Sequence, residues 1–328
     1  MTTRRTLLGT ALAAPFVNLL PTTARAAEWP SAGPIRLIVA SGAGGNADVV
    51  ARMVTAELET VLDQSIVVEN LSAASGMQAT EAVSNAEPDG YTLLVGTSSQ
   101  LVHNIALFEP LPVDITTTLR GVAMMNEVPM VMVVNNDEPS ADLGAFVEKL
   151  KADPAAFQYG SGPAGTTTHI TGALFLDKLG IDMVHVPYPK SGEALRDLIA
   201  GRLTFVFNPS LTAVPQVRDG ALRGLGVAAP ERLAAAPDLP TVSEAGVDGF
   251  VSQTWNSIAA PAGTDDAIVD RLNEAVNGIV QSESVRSRLI DLGALVPGAM
   301  SPAEVDAYYT TQRDTWIPVV RETGVRRS

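Results

Sequence analysis

Short β-branched segments alternate with longer amphipathic segments along this chain from Pro34 onward. The first short segments are IRLIVA, SIVVEN and YTLLVGT, and the run ADVVARMVTAELETVL between two of them places apolar residues three or four positions apart. Short apolar runs are typical of buried strands, and the longer period is typical of helices that bury one face. Regular alternation of the two indicates parallel sheets covered by helices. The sequence therefore predicts an α/β fold.

A second set of strands and helices follows the apolar segment VPMVMVVNND. Its strands are FQYGS, DMVHVPY and LTFVFN, with helical segments between them. The C-terminal tail supplies helices but few strands, so we expect it to pack on the first set. A chain of 328 residues is long enough for two domains of ordinary size. We predict domain 1 from residues 28–125 with 253–328 and domain 2 from residues 126–252, each a mostly parallel sheet flanked by helices.

The N-terminus has the pattern of an export signal. Two arginines, Arg4 and Arg5, precede an apolar run without acids, and a small-x-small cleavage pattern ends at Ala26. A retained membrane anchor is the alternative, but Pro15 interrupts the run, which is shorter than the about 20 apolar residues that a spanning helix needs. We therefore expect export to the periplasm, by the twin-arginine route, with cleavage after about Ala26.

Composition excludes several classes of function. The formal net charge is −14 and no basic cluster offsets it, which disfavours binding to nucleic acid or to anionic lipid. Cysteine is absent, so the chain can form neither a disulfide framework nor a thiolate metal site. We expect a soluble exported protein that acts as a monomer, although nothing in the sequence excludes a dimer.

Three predicted strands end in loops of small residues that open a helix. These loops lie in VASGAGGNAD, VGTSSQLVHN and YGSGPAGTTTHI. A helix start presents backbone N–H groups without intrahelical partners and a partial positive charge, so it can bind a carboxylate or a phosphate. Glycine lets the backbone approach a ligand closely, and serine and threonine add hydroxyl donors. We therefore predict an anion site in a cleft between the two domains.

The first loop also matches a dinucleotide fingerprint. Gly42–Ala47 reads G-x-G-x-x-A after a strand and before a helix, and Glu69 lies where an acid could bind a ribose hydroxyl. A secreted NAD(P)-dependent oxidoreductase is therefore one alternative function. Against it, the second half of the chain supplies no evident acid or base for hydride transfer.

Other catalytic machinery is not visible in the sequence. The three histidines, His103, His169 and His185, lack metal-ligand spacing, and the chain has neither a G-x-S-x-G motif nor a Walker lysine. His169 opens a helix beside a candidate loop, where ligand contact and helix capping are equally good interpretations. His185 alternates with valines in a strand and is expected to be structural. We predict no catalytic residue, no metal and no cofactor.

Nearly the whole chain after residue 26 resembles the extracytoplasmic solute-binding proteins of tripartite tricarboxylate transporters, the Bug family. The most specific matching segments are PDGYTLLVGT and APDLPTVSEAG. Further matches are PIRLIVASGAGGNADVVARMV, FQYGSGPAGTTTHITGALF, MVHVPYPKSGEALRDLIAGRL and TWNSIAAPAGT. The resemblance implies a two-domain, periplasmic-binding-protein-like fold that closes on a small carboxylate and delivers it to membrane permease subunits. A ligand-sensing partner of a membrane sensor kinase would have the same residues.

The resemblance also implies which residues surround the ligand, because the loops GAGGNAD and GSGPAGTTTH hold one carboxylate in that family. Within this set, Asp48 fits helix capping or bonds to loop amides better than ligand contact, since an acid would repel a carboxylate. A buried core position is the alternative for Trp255. The predicted ligand-binding set is Ser41, Gly42, Gly44, Gly45, Asn46, Asp48, Thr97, Ser98, Gly162, Gly165, Thr166, Thr167, His169, Tyr188, Asn208 and Trp255.

Two departures from the family pattern concern the walls of the cleft. Tyr188-Pro189-Lys190 stands where the family usually has Tyr-Lys-Gly, which displaces the lysine by one residue. Ala40-Ser41 replaces the usual Pro-Phe before the first glycines. These changes leave the two carboxylate-binding loops in place, so the sequence predicts a carboxylate without identifying the group at its other end.

Overall fold

The computed structural model describes residues 29–323, so the predicted export signal lies outside the described residues. The strands are β1 (Ile35–Val39), β2 (Ile66–Asn70), β3 (Thr92–Thr97), β4 (Leu119–Val134), β5 (Gln158–Ser161), β6 (Val184–Pro187), β7 (Phe205–Pro209), β8 (Arg223–Ala228) and β9 (Gln253–Pro261). The helices are α1 (Asn46–Leu62), α2 (Met77–Ser84), α3 (Asn104–Leu107), α4 (Ile115–Thr118), α5 (Leu143–Ala152), α6 (Thr167–Leu179), α7 (Ser191–Ile199), α8 (Ser210–Arg218), α9 (Asp266–Gln281), α10 (Glu283–Asp291) and α11 (Pro302–Glu322).

The strands form one sheet in the order β2-β1-β3-β9-β4-β7-β5-β6, with β8 also paired to β4. β1 runs parallel to β2 and β3, which together form the first half-sheet. β5 runs parallel to β6 and β7, which with β8 form the second half-sheet. The long strands β4 and β9 are antiparallel to each other and connect the two. The predicted α/β fold is confirmed, with two parallel units joined by an antiparallel pair.

Helices cover both faces of each half-sheet. Around the first half-sheet, α1 and α9 pack on one face, and α2 and α11 pack on the other. The second half-sheet has its own pair of apolar clusters, which include residues of α5 and α6 on one side and of α7 and α8 on the other. Because both of their faces are buried, the inner strands β1 and β3 consist of nearly continuous apolar residues, as parallel strands between helices do.

Local signals in the sequence fix several helix starts. α11 begins with the capping box that Ser301 and Glu304 predict, since each side chain accepts from the other's backbone N–H, with proline at the first helical position. In the segment VGTSSQLVHN, a π-helical turn, Ser99–His103, follows the end of β3 and precedes α3. No helix among residues 29–323 is both long enough and apolar enough to cross a membrane.

Candidate ligand-binding site

One cavity of about 430 Å³ lies where the three small-residue loops meet. Its walls come from both half-sheets, at the ends of β1, β3, β5, β6 and β7, and helices α1, α6, α7 and α8 begin beside it. Ligands of α/β proteins commonly bind at such carboxyl ends of strands. The polar and charged lining residues include Ser41, Asn46, Ser72, Ser75, Thr97, Ser99, Gln100, Thr166, Thr167, Thr168, Lys190, Ser191, Glu193, Arg196, Asn208, Thr212, Gln216 and Thr254.

The first loop, residues 41–47, turns through glycines that bond within the loop. Gly44 has φ +74°, which favours glycine, and its N–H donates to Oδ2 of Asp48 at 2.8 Å. The N–H of Gly45 donates to the carbonyl of Gly42 at 3.1 Å. The amides of Gly44 and Gly45 are therefore engaged within the protein, and these glycines shape the wall of the cavity.

The N-terminus of α1 leaves other amides for a ligand. Gly45 is the N-cap and provides no capping side chain, while Asn46 and Ala47, the first two helical residues, line the cavity. Their N–H groups have no carbonyl one turn earlier in the helix and lie at its positive end. The Asn46 side chain donates to Asn256 of β9 at 3.0 Å, which holds this helix start against the centre of the sheet. Amides of the helix start, rather than those of Gly44 and Gly45, are thus available as donors of the first wall.

Asp48 supports the first loop from behind. It is 3 % exposed, does not line the cavity, and accepts hydrogen bonds from Gly44, Arg52 and Asn70. Burial alone would raise the pKa of Asp48, but these hydrogen bonds together lower it below its ordinary value. Asp48 is therefore an ionised residue that holds the loop, which matches its predicted bond to the loop amides.

The second loop, residues 162–166, is also closed by its own hydrogen bonds. The N–H of Gly162 donates to Oγ1 of Thr168 at 3.0 Å, and the N–H of Gly165 donates to Nδ1 of His169 at 2.9 Å. Gly162, Gly165 and His169 do not line the cavity, whereas Thr166 and Thr167 do. The sequence allowed His169 to contact the ligand or to cap a helix. In the structure, Nδ1 of His169 accepts a hydrogen bond from the loop at the start of α6.

Hydrogen bonds also cross between the loops. Thr167 donates its N–H to Oγ of Ser99 at 3.1 Å, and its hydroxyl lies 2.9 Å from Oγ of Ser98. Ser75 donates its hydroxyl to the carbonyl of Ala164 at 3.2 Å. Ser98 is buried behind the cavity wall, while Thr97 and Ser99 reach it. These contacts close one side of the cavity and leave the amide of Thr168 as the uncommitted lining donor in the first turn of α6.

Two further residues of the predicted set, Trp255 and Tyr188, do not line the cavity. Trp255 is fully buried, and its ring stacks on that of Tyr309 with centroids 5.3 Å apart. The phenol of Tyr188 donates to Asp197 at 2.7 Å in α7. Asn208 does line the cavity, and its amide nitrogen donates to Thr212. Within residues 29–323, Oδ1 of Asn208 and Oγ of Ser41 have no hydrogen-bond partner.

The sequence did not indicate that α7 supplies the charged part of the wall. Lys190, Glu193 and Arg196 all line the cavity, although this segment reads only as an amphipathic helix. The displaced lysine in YPK was the one available signal. Ser72, Ser75 and Gln100, near the first loop, were also missed because nothing in LSAASG or SSQ shows which side chains face the cleft.

The dinucleotide interpretation has little support in this geometry. Glu69 does not line the cavity, and its carboxylate pairs with Nε of Arg36 at 2.9 Å. Among residues 29–323, no group of three or more histidines and acids lies close enough to hold a metal ion. The described walls of the cavity present neutral hydrogen-bond donors, together with the charged residues at the start of α7 and within it.

Acidification from pH 6.5 to 4 is expected to destabilise the protein through His185, which is partly buried. Burial lowers the pKa of His185 to about 4 from the ordinary 6.5, and His185 stacks on His169 with centroids 3.8 Å apart. Between pH 6.5 and 4 the unfolded chain therefore binds a proton at this histidine that the folded chain does not bind. The contribution of His185 to the free energy of unfolding is complete above pH 6.5 and is lost as the pH falls towards 4. The measurement is melting temperature against pH.

A His185→Gln variant isolates this contribution, because glutamine does not titrate. Its melting temperature should fall less than that of the wild type between pH 6.5 and 4.5, above the range in which most carboxylates take up protons. Parallel curves for the two proteins would show that His185 titrates alike in the folded and unfolded states.

Comparison with known proteins identifies relatives of this architecture. A family model described as "Tripartite tricarboxylate transporter family receptor" matches residues 50–325. Protein BugT of Bordetella pertussis is 32% identical over 301 residues, which are 92% of each chain. Among solved structures, MatC (Rpa3494) from Rhodopseudomonas palustris with bound malate is 32% identical, with a TM-score of 0.82 over 88% of this chain and 99% of that one. Rpa4515 of R. palustris with adipate is 30% identical, with a TM-score of 0.86 over 90% of this chain and 98% of that one.

Proposed function

This chain belongs to the family of tripartite tricarboxylate transporter receptors, and we propose that it captures a small carboxylate in the cavity and delivers it to the permease subunits of such a transporter. The relatives are solute-binding receptors rather than enzymes, and two solved relatives carry malate and adipate. The observation that carries the proposal is a cavity between the half-sheets into which several helix starts and hydroxyl groups point. Such donors bind a carboxylate or a phosphate, and the acids carried by the two solved relatives favour the carboxylate.

The proposed carboxylate contacts are the N–H groups of Asn46, Ala47 and Thr168 and the unpartnered hydroxyl of Ser41. Each helix start contributes roughly 0.3–1 kcal/mol when exposed and up to about 2 kcal/mol when partly buried. Several direct hydrogen bonds would add to this and bring the binding free energy towards that of a micromolar complex, which is about 8 kcal/mol. Other members of the predicted set have positioning roles in this proposal: Asp48, Ser98, Gly162, Gly165 and His169.

We propose that the two domains close about the long central strands. β4 changes partner between Pro129, which pairs with Gln253 of β9, and Met130, which pairs with β7 and β8. This position lies near the proposed domain limits, residues 28–125 with 253–328 and residues 126–252. A ligand that touches both sides favours the closed state by its differential affinity.

The remaining parts of the proposal concern location and partners. We propose that the chain is exported by the twin-arginine route, loses its first 26 or so residues, and works as a periplasmic monomer without catalytic turnover. The family's transport role and the N-terminal sequence support these statements. No contact among the described residues favours a sensor-kinase partner over a permease.

The test is thermal unfolding of the mature protein with mono-, di- and tricarboxylates, aromatic acids, amino acids, NAD and NADP. A ligand at 100 times its dissociation constant adds about 2.7 kcal/mol, which raises the melting temperature by a few degrees. We expect a shift with at least one carboxylate and none with either nucleotide. A nucleotide shift alone would overturn the proposal in favour of the oxidoreductase.

A pair of glycine variants, one in the first loop and one away from the cavity, tests the position of the site. Gly45→Leu should abolish the carboxylate shift, because Gly45 lines the cavity and its Cβ would lie 3.0 Å from the carbonyl oxygen of Gly42 and 3.6 Å from Oγ of Ser41, which would displace the first loop. Gly298→Leu is the matched control, since no atom lies within 4 Å of a Cβ at that position. It should keep the full shift.

A further inference from the structure

The helices α1 and α6, whose first amides are the proposed carboxylate contacts, have no side-chain cap. Gly45, the N-cap of α1, has no side chain, and that of Thr166, the N-cap of α6, forms no capping hydrogen bond. By contrast, the side chains of Asp142, Asp265 and Ser282 cap α5, α9 and α10. An uncapped start leaves its amides free for a ligand, but it lacks the contact that usually fixes the first turn. Other contacts therefore have to hold these two starts in place.

Asn256 of β9 holds the start of α1. Its side chain is fully buried, and its Oδ1 accepts from Nδ2 of Asn46, the first residue of α1, at 3.0 Å. Its Nδ2 donates to Oδ1 of Asn46 at 3.3 Å and to Oδ1 of Asn126 at 2.8 Å. Asn126 lies directly opposite on β4 and is also fully buried. Burial of an amide is costly unless its hydrogen bonds are made, and here they attach the start of α1 to the two central strands.

Thr254, two residues earlier on β9, connects to the start of α6. Alternate residues of a strand project from the same face, so Thr254 and Asn256 point to the same side of β9. Oγ1 of Thr254 lies 2.9 Å from Oγ of Ser98, which lies 2.9 Å from Oγ1 of Thr167, the first residue of α6. All three hydroxyl groups belong to buried residues. Because Ser98 follows β3 and α6 packs on the second half-sheet, this chain of hydroxyl groups crosses the cleft.

We infer that β9 positions both helix starts, through Asn256 for α1 and through Thr254 and Ser98 for α6, so that their amides converge on one carboxylate. Asn256 and Ser98 do not line the cavity, so they act through Asn46 and Thr167 rather than on the ligand. The contacts of Asn256 lie on one side of the cleft and persist when it opens. The hydroxyl chain is complete only when the two sides are together. The inference rests on the proposed function and names positioning residues for its site.

Hydrogen exchange of the ligand-free mature protein tests the attachment of α1. The amide of Val49 bonds to the carbonyl of Gly45 in the first turn, and it should exchange about fivefold faster in Asn256→Ala, as for the loss of one buried hydrogen bond. Asn46→Ala breaks the same pair from its half-buried end and should act alike, so the test does not depend on the stability of one variant. Asn273→Ala is the matched control, because its half-buried amide in α9 donates to two backbone carbonyls away from the cavity. It should leave the exchange of Val49 unchanged.

The same measurement tests the attachment of α6. The amide of Thr167 bonds to Oγ of Ser99, and it should exchange about fivefold faster in Ser98→Ala and in Thr254→Val. The double variant should exchange no faster than the faster single variant, because one chain is broken twice. Thr254→Ser keeps the hydroxyl group and should exchange as the wild type does. Thr80→Val is the control, since it removes a fully buried hydroxyl group that bonds within its own helix region.

Calorimetry with malate and with adipate, the acids carried by the two solved relatives, tests the effect on binding. Asn256→Ala and Ser98→Ala should each weaken the more tightly bound acid about tenfold, although neither side chain lines the cavity. In Ser98→Ala the loss should appear chiefly in the dissociation rate, because the hydroxyl chain opposes opening of the cleft. Asn273→Ala and Thr80→Val should lose stability and keep the wild-type affinity.

The contrary results are equally distinct. If Asn256→Ala and Asn273→Ala lose similar stability and neither changes the exchange of Val49 or the affinity, Asn256 is a structural residue and the inference is wrong. Additive effects of Ser98→Ala and Thr254→Val would show that the two hydroxyl groups act separately and not as one chain. A wild type that binds no carboxylate would overturn the proposed function, while the exchange rates still decide whether β9 fixes the helix starts.

Discussion

Replacing Gly165 with alanine is expected to destabilise the protein by about 2–5 kcal/mol and to weaken carboxylate binding at least tenfold. Gly165 has φ +81°, where a Cβ costs about 1–2 kcal/mol. That Cβ would also lie 2.4 Å from Cδ1 of Leu107, a fully buried residue of α3 on the other side of the cleft. Overpacking of this kind adds about 1–3 kcal/mol. Urea unfolding and calorimetry with the same carboxylate measure the two effects.

Gly180→Ala is the matched control for the backbone conformation. Gly180 follows the last residue of α6, the helix that Gly165 precedes, and has φ +65°. No atom lies within 4 Å of the position that a Cβ would take there. This variant should lose about 1–2 kcal/mol of stability and keep the wild-type affinity. The comparison therefore separates the strain of a positive φ from the contact across the cleft.

A second substitution tests the contact itself. Leu107→Ala removes the side chain that Gly165→Ala would meet, so the double variant should recover part of the lost affinity, in a double-mutant cycle. If Gly165→Ala and Gly180→Ala lose the same stability and neither loses affinity, the approach of Gly165 to Leu107 plays no part in closure.

The sequence predicted those parts of the site that depend on local chemistry. A run of small residues before an amphipathic segment specifies a loop and a helix start, and α6 begins at Thr167, within the predicted loop segment YGSGPAGTTTHI. The first two loops lie together because β1 and β3 are parallel neighbours, and parallel strands place their carboxyl ends at one edge. The family resemblance then gave the kind of ligand.

The parts that the sequence did not predict depend on contacts between distant residues. The pairing of β4 with β9, which joins the half-sheets, is between segments more than a hundred residues apart. Which loop amides bond internally depends on acceptors such as Asp48 and His169, whose side-chain directions the sequence does not reveal. For the same reason the sequence could not show that Lys190 crosses to Gly42. Local patterns thus located the loops, but not the atoms that they present.

Trp255→Ala is expected to destabilise the protein by about 3–5 kcal/mol without changing the dissociation constant of the folded fraction. Its side chain is fully buried between Tyr308 and Tyr309, and its ring nitrogen lies 3.4 Å from Gln312 of α11. Removing a buried aromatic residue costs this amount through lost apolar burial and a remaining cavity. Thr254, the neighbouring residue, does line the cavity, so this strand could have presented either side chain to a ligand.

Trp255→Phe keeps most of the apolar volume and gives a folded protein on which affinity can be measured. Trp29→Phe is the matched control, because Trp29 is also buried, at 4 % exposure, and packs against Tyr91 on the first half-sheet. Both variants should lose stability and both should bind the carboxylate with wild-type affinity, as calorimetry would show. A tenfold loss of affinity in Trp255→Phe alone would mean that Trp255 sets the shape of the cavity, since a purely structural tryptophan acts on the unfolding equilibrium and not on the folded site.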